Sequence, residues 1–139
     1  MTTSDLLFNR ISECTFCRLK PSKVHGVGVF AIRSIGARVE PFGDAPRFTD
    51  LTCISVAKVK KMRPEVEKLI VDLYSSDEEY YYIGPAPNNI GIYAYMNHSE
   101  IPNVELSKSK KYFITKNNIK KGEELVVNYK EYSKFENDF

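Results

Sequence analysis

The stretch YAYMNHSEIPNV (93–104) gathers Asn97, His98, Ser99, Pro102 and Asn103, and it holds one of only two histidines in the chain. A histidine in such a setting can ligate a metal, pair with a nucleophile, or hold a ligand through its ring nitrogens. Metal binding lacks support from spacing, because no His, Asp or Glu stands at the i+4 interval that sets two ligands on one helical face. Cys14 and Cys17 make a C-x-x-C. One such pair is half of a structural zinc site, and only Cys53, His25 and His98 remain to complete it. No metal site is assigned. A Cys–His pair stays open, although none of the three cysteines has nucleophile-like neighbours. A redox role is no better supported, since no helix clearly begins at the C-x-x-C.

Two further stretches carry weaker signals. HGVGVF (25–30) has a G-x-G, which lets backbone lie close to a ligand or adopt an unusual torsion. It lacks the third glycine and the following helix of a dinucleotide site, so a nucleotide-like ligand against a β-turn is what it allows. KKGEELVVNYKEY (120–132) reads as a turn at Gly122, Glu123 and Glu124, then an apolar strand ending in Tyr129. Taken alone, that tyrosine is a core residue with a satisfied hydroxyl.

The elements that must position these residues are short. Residues 1–12 read as a mobile or loosely docked lead-in. CTFCRLKPS (14–22) is strand-like up to Pro21, and HGVGVFAIRSIGARV (25–39) reads as a strand, a turn at Ser34–Gly36 and the start of another strand. EPFGDAPRFTD (40–50) is loop. PEVEKLIVDLY (64–74) is the clearest helix, with Pro64 at its first position and an apolar stripe of Val66, Leu69, Ile70, Leu73 and Tyr74. YYYI (80–83) and IGIYAYM (90–96) read as strands, VELS and YFIT as a hairpin around KSKK, and LVVNY (125–129) as a late strand. The sum is a mostly β fold with one good helix, in a 139-residue chain that favours a single domain.

Composition excludes several classes. A hydrophobic share of 42% and a charged share of 27% are those of a globular chain, not a disordered one. A net charge of +2 does not by itself support nucleic-acid binding, and the basic runs at 58–63, 108–111 and 116–121 read as solvated turns and helix ends. No apolar run approaches the roughly 20 residues of a membrane-spanning helix. The N-terminus lacks the pattern of a secretory signal. The expected location is intracellular, cytoplasmic or nuclear, and not secreted.

The order of the three motifs says more than any one of them. HGVGVFAIRSIG (25–36), YMNHSEIPN (95–103) and IKKGEELVVNY (119–129) together resemble the SET-domain family of protein lysine methyltransferases. The resemblance spans roughly residues 14–133. It implies small curved β-sheets with a knot-like C-terminal threading and one or two short helices. Residues 1–13 would be a lead-in, roughly 41–88 a variable insert that includes helix 64–74, and 134–139 a tail.

The resemblance also implies chemistry. The cofactor would be S-adenosyl-L-methionine, held by Gly26, Val27, Gly28, Asn97 and His98. Tyr129 matches the active-site tyrosine, and Tyr95, Tyr93, Tyr82 and Tyr132 are candidates for the wall of a substrate channel. No metal is called for. The partner would be a protein or peptide presenting a lysine, a histone tail being one class, with no nucleic acid or membrane involved and a monomer or homodimer as the assembly. Tyr132, Phe135 and Phe139 could close the channel from the tail. The chain departs from the family where Glu100 replaces a frequent cysteine, Ala94 a frequent arginine and Asn128 a frequent aspartate. A cysteine-rich segment following the domain is missing too. These departures keep open a catalytically inactive module that binds cofactor or peptide.

Overall fold

The computed structural model describes residues 1–43, 52–74, 76–84, 86–109 and 112–131. Strand β1 (Cys17–Pro21) forms an antiparallel hairpin with β2 (Val27–Ala31), in the register Cys17↔Ala31 to Pro21↔Val27. The other edge of β2 pairs antiparallel with β8 (Glu124–Val127), and β8 pairs parallel with the two-residue β5 (Asn97–His98). The sheet order is therefore β1-β2-β8-β5. Strand alternation puts Val29, Ala31, Leu125 and Val127 on one face, where all are buried with Ile35, Met96, Val104, Phe113 and Ile119. Each fully buried aliphatic side chain in such a core contributes about 1.5–3 kcal/mol.

A second, smaller core sits within residues 52–83. Strands β3 (Thr52–Ser55) and β4 (Tyr80–Ile83) pair antiparallel, and helices α2 (Val56–Val59) and α3 (Pro64–Leu73) complete the unit. Val59, Ile70 and Ile83 are its buried centre. The expected stripe of α3 is only partly used. Ile70 is buried, Leu69, Leu73 and Tyr74 are half-buried, and Val66 faces water. Strands β6 (Val104–Leu106) and β7 (Phe113–Thr115) form the expected hairpin, of which Lys110 and Lys111 lie outside the described residues.

Two expectations need correction, and the lead-in, read without an element of its own, forms one. The lead-in is a helix, α1 (Thr3–Cys14), begun by a reciprocal capping box between Thr2 and Asp5. All its residues are exposed, and Arg33 holds its end by donating to the carbonyls of Ser12 at 3.4 Å and Glu13 at 3.2 Å. No strand follows Ser34–Gly36: Ala37 and Arg38 turn, and the one bridge nearby, Ile35↔Ile119, falls inside the expected turn. Arg38 has φ 62°, which breaks an extended run, and the buried Thr115 hydroxyl donates to the Gly36 carbonyl while accepting from Val39 N–H. The alternating run 90–96 is not a strand either but a 3-10 turn over Ile92–Tyr95. There the chain turns into the main core, burying Met96 and leaving Tyr95 outside.

Candidate active site

The parallel pairing of β5 with β8 sets Asn97 opposite Val126 and His98 opposite Val127. The loop that follows then clasps β8. Ser99 N–H donates to the Val127 carbonyl, Asn103 N–H to that of Val126, and the Asn103 side chain both donates to the Glu124 carbonyl and accepts from Val126 N–H. These bonds join the loop to β8 and do not by themselves show the expected knot-like threading. They bring the 93–104 stretch against the strand that leads to Tyr129.

Tyr129 opens a 3-10 turn (Tyr129–Glu131) just beyond β8. Its N–H donates to His98 Nδ1 at 3.1 Å, and its hydroxyl donates to the Met96 carbonyl. The two rings lie 5.3 Å apart, tilted by 58°. Burial first, and the nearby Glu124 charge second, push the Tyr129 phenol above its ordinary range. It is therefore a neutral hydroxyl at physiological pH.

Because His98 Nδ1 accepts, the neutral ring carries its proton on Nε2. That nitrogen lies 3.2 Å from Glu100 Oε1, to which it donates, and Lys130 Nζ reaches the same oxygen at 3.4 Å. The bond from His98, followed by the charge of Lys130, holds the Glu100 carboxyl below its usual range. The residue that departs from the family pattern thus has a defined partner in the site.

Asn97 is 6% exposed, and its side-chain amide ties the glycine stretch down. Nδ2 donates to the His25 carbonyl at 3.0 Å, to that of Val27 at 3.3 Å and to Glu124 Oε2 at 2.8 Å. Gly26 has φ 48°, and an added Cβ there would meet nothing within 4 Å, so that side of the turn is open. The structure therefore brings Gly26, Val27, Gly28, Asn97, His98 and Tyr129 into one connected neighbourhood.

The channel candidates scatter. Tyr95 is 39% exposed and directly precedes Met96, whose carbonyl holds the Tyr129 hydroxyl. Tyr93 packs in the main core, its ring 6.3 Å from Phe42 and 6.1 Å from Phe113, and burial raises its phenol. Tyr82 belongs to a different sheet, opposite Cys53 on β3. Its hydroxyl donates to Asp77, and that bond above all pushes it up to about 12. Tyr132, Phe135 and Phe139 lie outside the described residues. Among the described residues no three His, Cys, Asp or Glu side chains gather as a metal site.

Two residues of this neighbourhood had no role at the level of sequence. Glu124 bonds to Asn97 and Ser22 and lies against Gly28, and Ser22 lies outside all three motifs. A serine just after Pro21 is a turn signal, and Glu124 is the second acid of G-E-E-L, so both were visible as local features only.

A family model for the SET domain matches residues 26–130, which is most of the chain. The chain belongs to the SET-domain family. This is a family of methyltransferases, and the match takes in the Gly26 turn, the Asn97–His98 pair and Tyr129 while leaving out α1 and Ser22. Among solved structures, this SET domain is similar in fold to a candidate histone methyltransferase of Plasmodium falciparum. The two share 20% identity with a TM-score of 0.54, over 83% of this chain and 93% of that one. No curated protein sequence is significantly similar to the chain.

Proposed function

We propose that this SET domain transfers a methyl group from S-adenosyl-L-methionine to the side-chain amine of a lysine in a protein substrate. The observation that carries the reading is the placement of Tyr129. Its hydroxyl donates to the Met96 carbonyl, and the next residue, Asn97, pins a glycine turn that is open on its other side.

The donor set suits this cofactor. An open, glycine-containing turn gives backbone groups to a zwitterionic amino-acid moiety, and Asn97 and His98 line the adjoining side. When bound, the cofactor supplies an electrophilic methyl on a sulfonium. The protein then has to align and desolvate rather than polarise, because no oxyanion develops. With its proton on Met96, the Tyr129 oxygen offers lone pairs that accept from a neutral amine and hold it in line. Lysine ordinarily titrates near 10.4, and apolar surroundings favour its neutral form.

The substrate is an extended lysine-bearing peptide that adds as a strand beside the insert, with histone tails as one class and other cellular proteins as another. No helix among the described residues is long and apolar enough to cross a membrane. An intracellular protein substrate, cytoplasmic or nuclear, fits this reading.

Labelled S-adenosyl-L-methionine, incubated with histones and with cell lysate, tests it. Wild type should label protein, and Tyr129→Phe should be slower by at least about tenfold, or about 1.4 kcal/mol of barrier. Cofactor binding with no transfer to any protein would favour the inactive module instead. Equal transfer by the variant would remove Tyr129 from the reaction.

A further inference from the structure

The glycine turn has a hidden foundation. Ser22 and Glu124 are 102 positions apart in sequence, and the Ser22 hydroxyl donates to Glu124 Oε1 at 2.6 Å. This is a charge-assisted bond, the stronger kind. The same Ser22 Oγ accepts from Val24 N–H at 2.9 Å and His25 N–H at 3.4 Å, which uses both lone pairs. Ser22 N–H closes the turn by donating to the Gly26 carbonyl at 2.7 Å. The other carboxylate oxygen, Oε2, takes the Asn97 amide, and that amide also holds the His25 and Val27 carbonyls. The backbone groups from Val24 to Val27 thus converge on one carboxylate through two side chains.

The two glycines are then distinct in purpose. Gly26 is needed for its left-handed φ of 48° and looks into open space. Gly28 faces inward, and a Cβ on it would lie 2.4 Å from Glu124 Oε2 and 3.1 Å from Ser22 Cβ. Glycine at 28 makes room for the carboxylate.

From this geometry we infer that Ser22 and Glu124 are positioning residues that set the shape of the cofactor turn, a reading that rests on the cofactor assignment above. Their side chains bond to each other, to Asn97 and to the turn's own backbone. They act through the backbone of residues 24–27, so their loss falls on cofactor affinity more than on turnover. A carboxylate shared by two donors tolerates no amide in its place. In Glu124→Gln the amide nitrogen would face one of the donors that the oxygen now receives.

Calorimetric titration with S-adenosyl-L-methionine, together with thermal melting and initial rates, decides the matter on the full chain. Ser22→Ala and Glu124→Gln should each raise the dissociation constant by about tenfold, the scale of one lost charge-assisted bond. The rise in KM for the cofactor should exceed the fall in kcat, and Ser22→Thr, which keeps a hydroxyl, should recover most of the affinity. If Glu124→Gln does not fold, the Ser22 pair alone carries the comparison. Wild-type binding that Ser22→Ala matches would overturn the positioning role and leave the cofactor assignment standing. A wild type that does not bind the cofactor would overturn both.

Discussion

His98 and Tyr129, 31 positions apart, hold one another by a bond and a ring contact: the Tyr129 N–H sits 3.1 Å from His98 Nδ1, and the rings are 5.3 Å apart. The histidine thus fixes where the tyrosine's turn begins. Removing the ring leaves a half-buried N–H without its acceptor, which costs about 1–2 kcal/mol. Denaturant unfolding of His98→Ala should show that loss, and His98→Asn, which can place an oxygen near the former Nδ1, should show less. Calorimetry should also show weaker binding of S-adenosyl-L-methionine by His98→Ala.

Asn97 serves three acceptors from a buried position, so the sign of its replacement matters as much as the size. Asn97→Ala leaves two carbonyls and the Glu124 carboxylate without that donor, for a loss of about 2–3 kcal/mol. Asn97→Asp places a second carboxylate against Glu124 and should be the less stable of the two. Melting temperatures of the pair, compared at neutral pH, check the order.

Gly28→Ala and Glu124→Ala should report on one event. The added methyl has to displace the Glu124 carboxylate, which breaks the bonds to Ser22 and Asn97 that Glu124→Ala also removes. The double variant should therefore lose less stability than the sum of the singles, with a coupling of about 1 kcal/mol or more. Strict additivity in denaturant unfolding would separate the two residues.

The Tyr129 phenol is raised above its ordinary value of 10.0, first by burial and then by the Glu124 charge. The folded protein keeps this proton at a pH where the unfolded chain releases it. Its contribution to stability is therefore whole below the unfolded value and is lost as pH rises through the folded one. Melting temperature should decline on going above about pH 10, and Tyr129→Phe should flatten part of that decline.

Tyr82 offers an independent test of the insert. Its hydroxyl is pushed up to about 12, chiefly by the bond to the Asp77 carboxylate. Asp77→Asn removes the charge and should return this phenol toward 10.0. Near-ultraviolet absorbance across an alkaline titration would show one tyrosine moving from the late group to the early one.

Much of the fold was legible from local pattern. The alternation of β2, the apolar run of β8, the β6–β7 hairpin and the Pro64 start of α3 all follow from features a few residues wide. Helix α1 was not legible: Thr2 and Asp5 stand at capping-box spacing, but the segment reads as a loosely docked lead-in, and all its residues stay exposed. The 3-10 turn at Ile92–Tyr95 was not. Its alternating residues satisfy a strand pattern, and what forbids a strand is the need to turn Met96 into the core.

The same division runs through the site. Residue type and order mark Gly26, Asn97, His98 and Tyr129, because each motif keeps its members within a few positions of one another. Partnership across the chain is another matter. That Glu124 underpins Ser22, that Gly28 exists to admit a carboxylate, and that Glu100 sits on His98 depend on which strands become neighbours. The parallel β5–β8 pair and the antiparallel β2–β8 pair make those neighbours. Hydrogen bonds reach only about 3 Å, so a bond spanning a hundred residues of chain is settled by the packing of the sheet and by nothing local.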